Sequence, residues 1–239
     1  MRLKIFVEKV TDGPLNFNYQ HWLASAILRK ISESKKEVSQ RLHRKTKFKY
    51  YNFSNLIIEK KQVSKKGLYF KEAFFYFVSI DNDFLDGLAT GVFKDLKFHL
   101  GAQQFIVKRI KVEDNEDIKS ECTLRTLSPV YTKTLRKNKE GKLKPYDLTP
   151  KDLKFNENLH RNLLERYYRY YGRKPKQDFF EITKIHTLKL MRVLIKNSYR
   201  RCTLMTFDVQ AGKELLEFAY NTGLGEKTGL GFGCIEVVE

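Results

Sequence analysis

The sequence predicts an α+β protein made of two lobes with the same element order, and three observations predict it. In the first half, apolar residues alternate with period two or recur at helical spacing, so that the chain spells strand, helix, strand, strand, helix, strand. The second half spells that order again. Between them lies the polar, acidic run Glu113-Asp114-Asn115-Glu116-Asp117, which suits a connector. This order is the ferredoxin-like one. The expected domains are 1–117 and 118–239, both of ordinary domain size. The repeat is one of element order and not of sequence.

In the first half, Arg2 to Val10 alternates charged and apolar groups and reads as a strand. Asp12-Gly13-Pro14 is a turn signal. Trp22, Leu23, Ala26, Ile27 and Ile31 recur at helical spacing and predict a helix over 19–31. A second short helix is expected over 35–42, ending in the basic run His43-Arg44-Lys45-Thr46-Lys47-Phe48-Lys49. Strands are expected over 50–58 and 73–80, joined through Lys65-Lys66-Gly67. A helix over 84–93 carries Leu85, Leu88 and Ala89 on one side, and 96–112 forms a hairpin pivoting near Gly101.

In the second half, 122–131 reads as a strand interrupted by Ser128-Pro129. Thr149-Pro150 is expected to cap a long helix running to about Tyr171. Strand-like segments follow over 182–195 and 202–209, around a turn at Asn197-Ser198. A helix over 213–220 and a closing strand over 233–238 complete the order.

Composition narrows the function. The 239 residues are 41% hydrophobic and 13% aromatic, enough for real cores and too apolar for wholesale disorder. Lysine and arginine number 46 against 28 acidic residues, a formal net charge of +18. That excess is the footprint of a polyanion binder. A membrane surface is the competing polyanion, but it would call for a basic amphipathic helix with a broad apolar face or a lipidation signal, and neither is evident. The longest apolar run, Ala73 to Val78, is far too short to cross a bilayer. The N-terminal stretch has no signal-peptide pattern. Three widely spaced cysteines (Cys122, Cys202, Cys234) form no C-x-x-C, so neither a metal site nor a redox motif is expected. Buried thiols in a reducing, cytoplasmic compartment are the simplest reading.

The most specific stretch lies near the end. Gly223, Gly225, Gly229, Gly231 and Gly233 fall within eleven positions. Such crowding calls for positive φ or for a close approach of backbone to something else. The loop follows a helical pattern and precedes a strand. Dinucleotide and P-loop sites run the other way, from strand through glycine loop into helix, and the spacing fits neither motif. On so basic a chain, a helix, a glycine-rich loop and a final strand point to a surface that lies against RNA. Exposed N–H groups and Lys227 would contact phosphates there.

The segment from Gly223 to Val237 resembles the C-terminal glycine-rich motif of the repeat-associated (RAMP) proteins. It is most similar to that of the Cas6-type CRISPR-associated endoribonucleases. Three further segments resemble the same family in the same order: Met1 to Val10 with the Asn18-Tyr19-Gln20-His21 helix entry, Leu42-His43 with Tyr51-Asn52-Phe53-Ser54, and Leu127-Ser128-Pro129-Val130. The resemblance implies two tandem ferredoxin-like (RRM-like) folds. It also implies cofactor-free, metal-independent cleavage of CRISPR repeat RNA, which leaves a 5′-hydroxyl and a cyclic or open 3′-phosphate and yields guide RNAs. The implied partners are the repeat RNA and other CRISPR effector subunits, with no membrane, for a monomer or homodimer. A non-cleaving RNA-binding subunit of an effector complex is the alternative. A nucleotide-handling enzyme on the same fold is remote, because the loop topology is wrong and metal carboxylates are missing.

The resemblance makes His43 the candidate general base or acid, since an imidazole titrates near neutrality. Lys49 resembles the family's charge-stabilising lysine, and Tyr50 can donate a hydrogen bond to the phosphate. Some family members carry a tyrosine in the first helix, where this chain has Leu28. His21 is a backup. His99, His160 and His186 read as ordinary structural or surface residues. The expected RNA contacts are Arg44, Lys45 and Lys47, then Lys189, Arg192, Lys196, Arg200 and Arg201 on the second-half hairpin, and the glycine loop with Lys227. A basic hairpin can straddle an RNA helix; equally, its lysines can be a solvated edge that deters strand pairing. The tyrosines at 167, 168, 170 and 171 read as packing before base stacking.

Overall fold

The computed structural model describes residues 1–34, 37, 38, 40, 48–195 and 197–238. It divides into two compact units. The first comprises Met1–Asn115 with Gly229–Gly231, and the second comprises Glu116–Thr228 with Phe232–Glu239. Each is ferredoxin-like.

In the first unit the order is β1 (Arg2–Lys9), α1 (Gln20–Ser32), β2 (Tyr51–Phe53), β3 (Gln62–Ser64), β4 (Gly67–Tyr69), β5 (Glu72–Ser79), α2 (Asn82–Lys94), β6 (Lys97–Leu100) and β7 (Gln103–Glu113). The sheet runs β2-β5-β1-β7-β6, antiparallel throughout, with β6 added at one edge as a hairpin on β7. Period-two alternation sends Leu3, Ile5 and Val7 of β1 and Ala73, Phe75 and Phe77 of β5 into the core with Leu23, Ile27 and Ile31 of α1. Phe53, Phe75 and Phe77 are fully buried, so truncating any one to alanine would cost about 3–5 kcal/mol. Asp81 caps α2, its carboxylate accepting from the N–H of Asp83 at 3.1 Å.

Two expectations need adjustment here. The strand expected over 50–58 is regular only at β2. Beyond it the chain continues with a single bridge between Ile57 and Phe74, because Ser54 spends its hydroxyl and its N–H on Tyr76 of β5 and its neighbour's carbonyl. The Lys65-Lys66-Gly67 connection carries its own small hairpin, β3–β4. The short helix expected over 35–42 lies largely outside the described residues.

The second unit runs β8 (Glu121–Thr126), β9 (Lys133–Lys137), β10 (Leu143–Asp147), α3 (Lys154–Tyr171), β11 (Phe180–Ile195), β12 (Ser198–Ala211), α4 (Lys213–Thr222), a 3-10 turn (Thr228–Leu230, whose last two residues belong with the first unit) and β13 (Ile235–Val237). The main sheet, β11-β12-β8-β13, repeats the strand order of the first unit. The β9–β10 hairpin is an insertion that the apolar pattern did not announce. The helix expected from Thr149-Pro150 starts only at Lys154. Asp152 draws the N–H and hydroxyl of Thr149 onto its carboxylate at 2.9 and 3.0 Å, which closes a turn ahead of the helix. The β11–β12 hairpin is longer than its apolar segments, pairing Phe180 with Ala211 at one end and Ile195 with Ser198 at the other. Of the three cysteines, Cys202 and Cys234 are buried but Cys122 is only half-buried.

Candidate nucleic-acid interface

The candidate centre of the first unit lies where β2 begins. Lys49 and Tyr50 are both half-buried, immediately before Tyr51. The Tyr50 carbonyl accepts from the Ser79 hydroxyl at 3.0 Å, which ties this entry to β5. Burial lowers the Lys49 ammonium below the ordinary lysine value. The Tyr51 ring packs on Phe77 and Phe84, with centroids 5.8 and 5.5 Å away, and its burial pushes the phenol well above the usual range.

The segment Gly229–Gly231 sits on this strand. A Cβ on Gly229 would come within 2.9 Å of both Cβ and Cγ of Lys49, and one on Gly231 would overlap the Phe53 ring. The buried Gln20 amide, on the first turn of α1, donates to the Gly231 carbonyl. The structure therefore gathers Lys49, β2, Gln20 and one stretch of the glycine loop. Nothing in the sequence flagged Gln20 except its place in the helix-entry segment.

His21, the neighbour of Gln20, is exposed. Its Nδ1 donates to the Asn18 carbonyl at 2.8 Å, leaving Nε2 for other work. Leu28 packs on the core of the first unit. His43, Arg44, Lys45 and Lys47 lie outside the described residues, as does Lys196.

The rest of the loop is committed inside the second unit. Gly223 donates its N–H to the Ala219 carbonyl at 2.6 Å, and Gly233 donates to Pro129 at 2.9 Å. Those two N–H groups are therefore not available to phosphates, and both residues are buried. Arg166, fully buried, donates to the carbonyls of Gly223 and Thr222 at 2.8 and 2.6 Å, satisfying the C-terminal end of α4. Gly225 is also buried. Lys227 is exposed, and among the described residues it is the one non-glycine with positive φ, at 60°. Such a backbone outlier is costly and concentrates at functional sites.

On the second-unit hairpin, Lys189 and Arg192 are exposed. Arg192 pairs directly with Arg201 across the strands. Arg200 and Arg201 are held by β10: Arg200 lies 3.7 Å from the Asp147 carboxylate, and Arg201 donates its N–H to that carboxylate and its guanidinium to the Asp147 carbonyl. The opposite face of the hairpin tip is apolar and covered, with Val193, Ile195 and Cys202 packed beneath Tyr131 and Phe232. Burial pushes the Cys202 thiol up to about 12, so it stays protonated and inert.

The remaining histidines have structural partners or plain surroundings. His160 meets Asp178 at 2.8 Å and His186 meets Asp208 at 2.7 Å, while His99 is exposed on β6. Tyr167 is buried against Tyr171 and Phe218, whereas Tyr168, Tyr170 and Tyr171 are exposed.

Comparison with known proteins agrees across the whole chain. Residues 14–111 match the family description of the CRISPR-associated protein Cas6, N-terminal, and residues 112–237 match that of Cas6, C-terminal. The chain is 36% identical over its full length to the CRISPR-associated endoribonuclease Cas6 1 of Methanocaldococcus jannaschii, covering 93% of that protein. It is 33% identical to a CRISPR-associated endoribonuclease-like protein Cas6 of Pyrococcus furiosus, covering 99% of it. The solved structure of a Cas6-related gene product from Pyrococcus furiosus superposes with a TM-score of 0.92 at 32% identity, covering 100% of this chain and 98% of that one. A solved RAMP protein that binds different RNA substrates gives a TM-score of 0.89 at 30% identity, with both chains covered in full. Two ferredoxin-like units, a strongly basic composition and a Gly229–Gly231 segment seated on β2 thus accompany similarity that runs from end to end, and the chain belongs to the Cas6 family of CRISPR-associated proteins.

Proposed function

We propose that this protein is a metal-independent endoribonuclease that cuts CRISPR repeat RNA by attack of a ribose 2′-hydroxyl on the adjacent phosphorus. The 2′-oxygen forms a bond to phosphorus while the bond to the 5′-oxygen breaks. One proton leaves the 2′-hydroxyl to a base, and one reaches the departing 5′-oxygen from an acid. The products are a 2′,3′-cyclic phosphate and a 5′-hydroxyl. The nucleophile belongs to the substrate, so the protein needs to supply only proton transfer and positive charge. His43 serves as base or acid. Lys49 stabilises the phosphorane, and Tyr50 donates a hydrogen bond to it. Arg44, Lys45, Lys47, Lys189, Arg192, Lys196, Arg200, Arg201, Lys227 and the half-buried Gly229 of the glycine loop bind the RNA.

The observation that carries this reading is Lys49 beneath Gly229. A cation whose proton is loosened by burial is a better donor and is held in place by its covering loop. The catalytic name borne by the Methanocaldococcus jannaschii relative adds support.

The test is single-turnover cleavage of labelled repeat RNA in excess EDTA. The expected result is one cut, abolished by a 2′-deoxy sugar on the 5′ side of the scissile phosphate. His43→Ala should slow cutting by roughly 10²–10⁴-fold with RNA affinity retained. Cutting that needs a divalent metal, or that survives the deoxy substitution, would overturn the mechanism.

A second reading, a non-cleaving RNA-binding family member, is favoured by Leu28. That side chain packs on the core where some relatives place a reactive tyrosine. Tight repeat binding with no cut under any condition would select it.

A further inference from the structure

We propose that the inserted β9–β10 hairpin is a clamp for the RNA sugar–phosphate backbone, working with the Arg192–Arg201 pair of the β11–β12 hairpin. The inference rests on the RNA-binding reading above and adds an element that neither the family resemblance nor the apolar pattern assigned.

Residues 133–147 carry six basic side chains and two acidic ones. Register sets like charges directly opposite one another on both ribbons: Arg136 faces Lys144, and Arg192 faces Arg201. Such pairs repel and weaken a ladder unless a counter-charge lies over them. The ribbons converge on one ring. The Arg136 guanidinium carbon lies 3.5 Å from the Tyr146 centroid and that of Arg201 lies 4.9 Å from it.

Asp147 fixes this junction through its hydrogen bonds to Arg201, and Asp152 orients Arg136 at 3.1 Å. These carboxylates hold the arginines without neutralising the surface. Among the described residues, Lys137, Lys139, Lys144 and Arg192 make no ion pair. Arg136 and Arg201, partly spent on Asp152 and the Asp147 carbonyl, hold the ribbons at Tyr146, while the cations without ion partners remain to meet phosphates. Contacts of this kind fix position and carry no base information.

The test is fluorescence anisotropy with a labelled repeat RNA and a scrambled RNA of equal length, across a salt series. Arg136→Ala/Lys144→Ala should weaken both RNAs equally, by about tenfold at moderate salt, and lower the slope of log K against log salt by about 1.5. Lys144→Ala alone removes an exposed cation without an ion partner, so the fold is undisturbed, and it should lower the slope by about half as much. Thermal melting of each variant checks folding. Affinity and slope unchanged in both variants, with the wild type binding RNA, would overturn the clamp alone. A loss confined to the repeat RNA would also overturn it, because it would mean that bases are read there. Failure of the wild type to bind any RNA would remove the clamp together with the reading beneath it.

Discussion

The glycine-rich tail contains two kinds of glycine, and the difference between them separates folding from function. Gly233 belongs with the second unit. It sits at φ 71°, and a Cβ there would lie 1.9 Å from the Leu224 carbonyl oxygen, while its own carbonyl accepts from the Leu224 N–H at 2.8 Å. It serves the turn itself. Gly229 belongs with the first unit and is not in the left-handed region. The nearest atoms a Cβ would meet are the stem of Lys49 and the Tyr51 hydroxyl. It permits an approach to a candidate catalytic side chain. Identical residues four positions apart therefore answer to different physics, and composition alone cannot tell them apart.

The comparison can be broken most forcefully at Gly233. Gly233→Ala combines a disallowed φ with a backbone clash, so thermal or urea melting should show a loss of roughly 3 kcal/mol. A near-neutral result would mean that the turn relaxes and that the structural half of the distinction is mistaken. Lys49→Ala comes next. Single-turnover cleavage should fall about 100-fold, roughly 2.7 kcal/mol of transition-state stabilisation, with repeat affinity held within a few-fold. A large loss of binding with unchanged cleavage of bound RNA would make Lys49 a mere phosphate contact.

Gly229→Ala sharpens the contrast. The added methyl must push Lys49 aside or lift the loop, so cleavage should drop about tenfold, roughly 1.4 kcal/mol, while the melting temperature stays close to that of the wild type. Equal damage to stability and rate would merge the two kinds of glycine into one. The smallest effect concerns α4, the helix that leads into the structural glycines. Arg173 foremost, with the Lys176 N–H and the Tyr167 hydroxyl, holds the Glu214 carboxyl at about 2. A depressed carboxyl stabilises the fold fully above its unfolded value near 4.3, and that contribution disappears as pH falls towards 2. Melting curves of wild type and Glu214→Gln should therefore lie apart at pH 6 and converge in acid; a constant separation would contradict the assignment.

Much of the architecture was legible because apolar periodicity is a local property. Leu3, Ile5 and Val7, or Leu23, Ile27 and Ile31, declare a buried face whatever lies beyond it. The β9–β10 hairpin escaped because its strands bury almost nothing: Leu135 and Leu143 are exposed, and charged side chains fill most of the remaining positions. Its one sequence signal is the turn at Asn138 to Gly141, where the Asn138 side chain accepts from two backbone N–H groups. The start of α3 was misplaced because Asp152 outcompetes a helical turn for Thr149. Lys49 was found by its resemblance to a family position. Gln20 was not, because an amide on a helix carries no mark until its partner carbonyl, 211 residues away, is in place.

The sequence by itself determined the α+β class, the twofold element order, the polyanion-binding charge and the family, since each follows from composition, short-range period or colinear motifs. Only the tertiary structure decided which glycine N–H groups are already spent, that Lys49 lies beneath Gly229, and that two cationic ribbons meet at Tyr146. Those facts join residues far apart in the chain, and burial and hydrogen bonding between such residues arise only when folding brings them together.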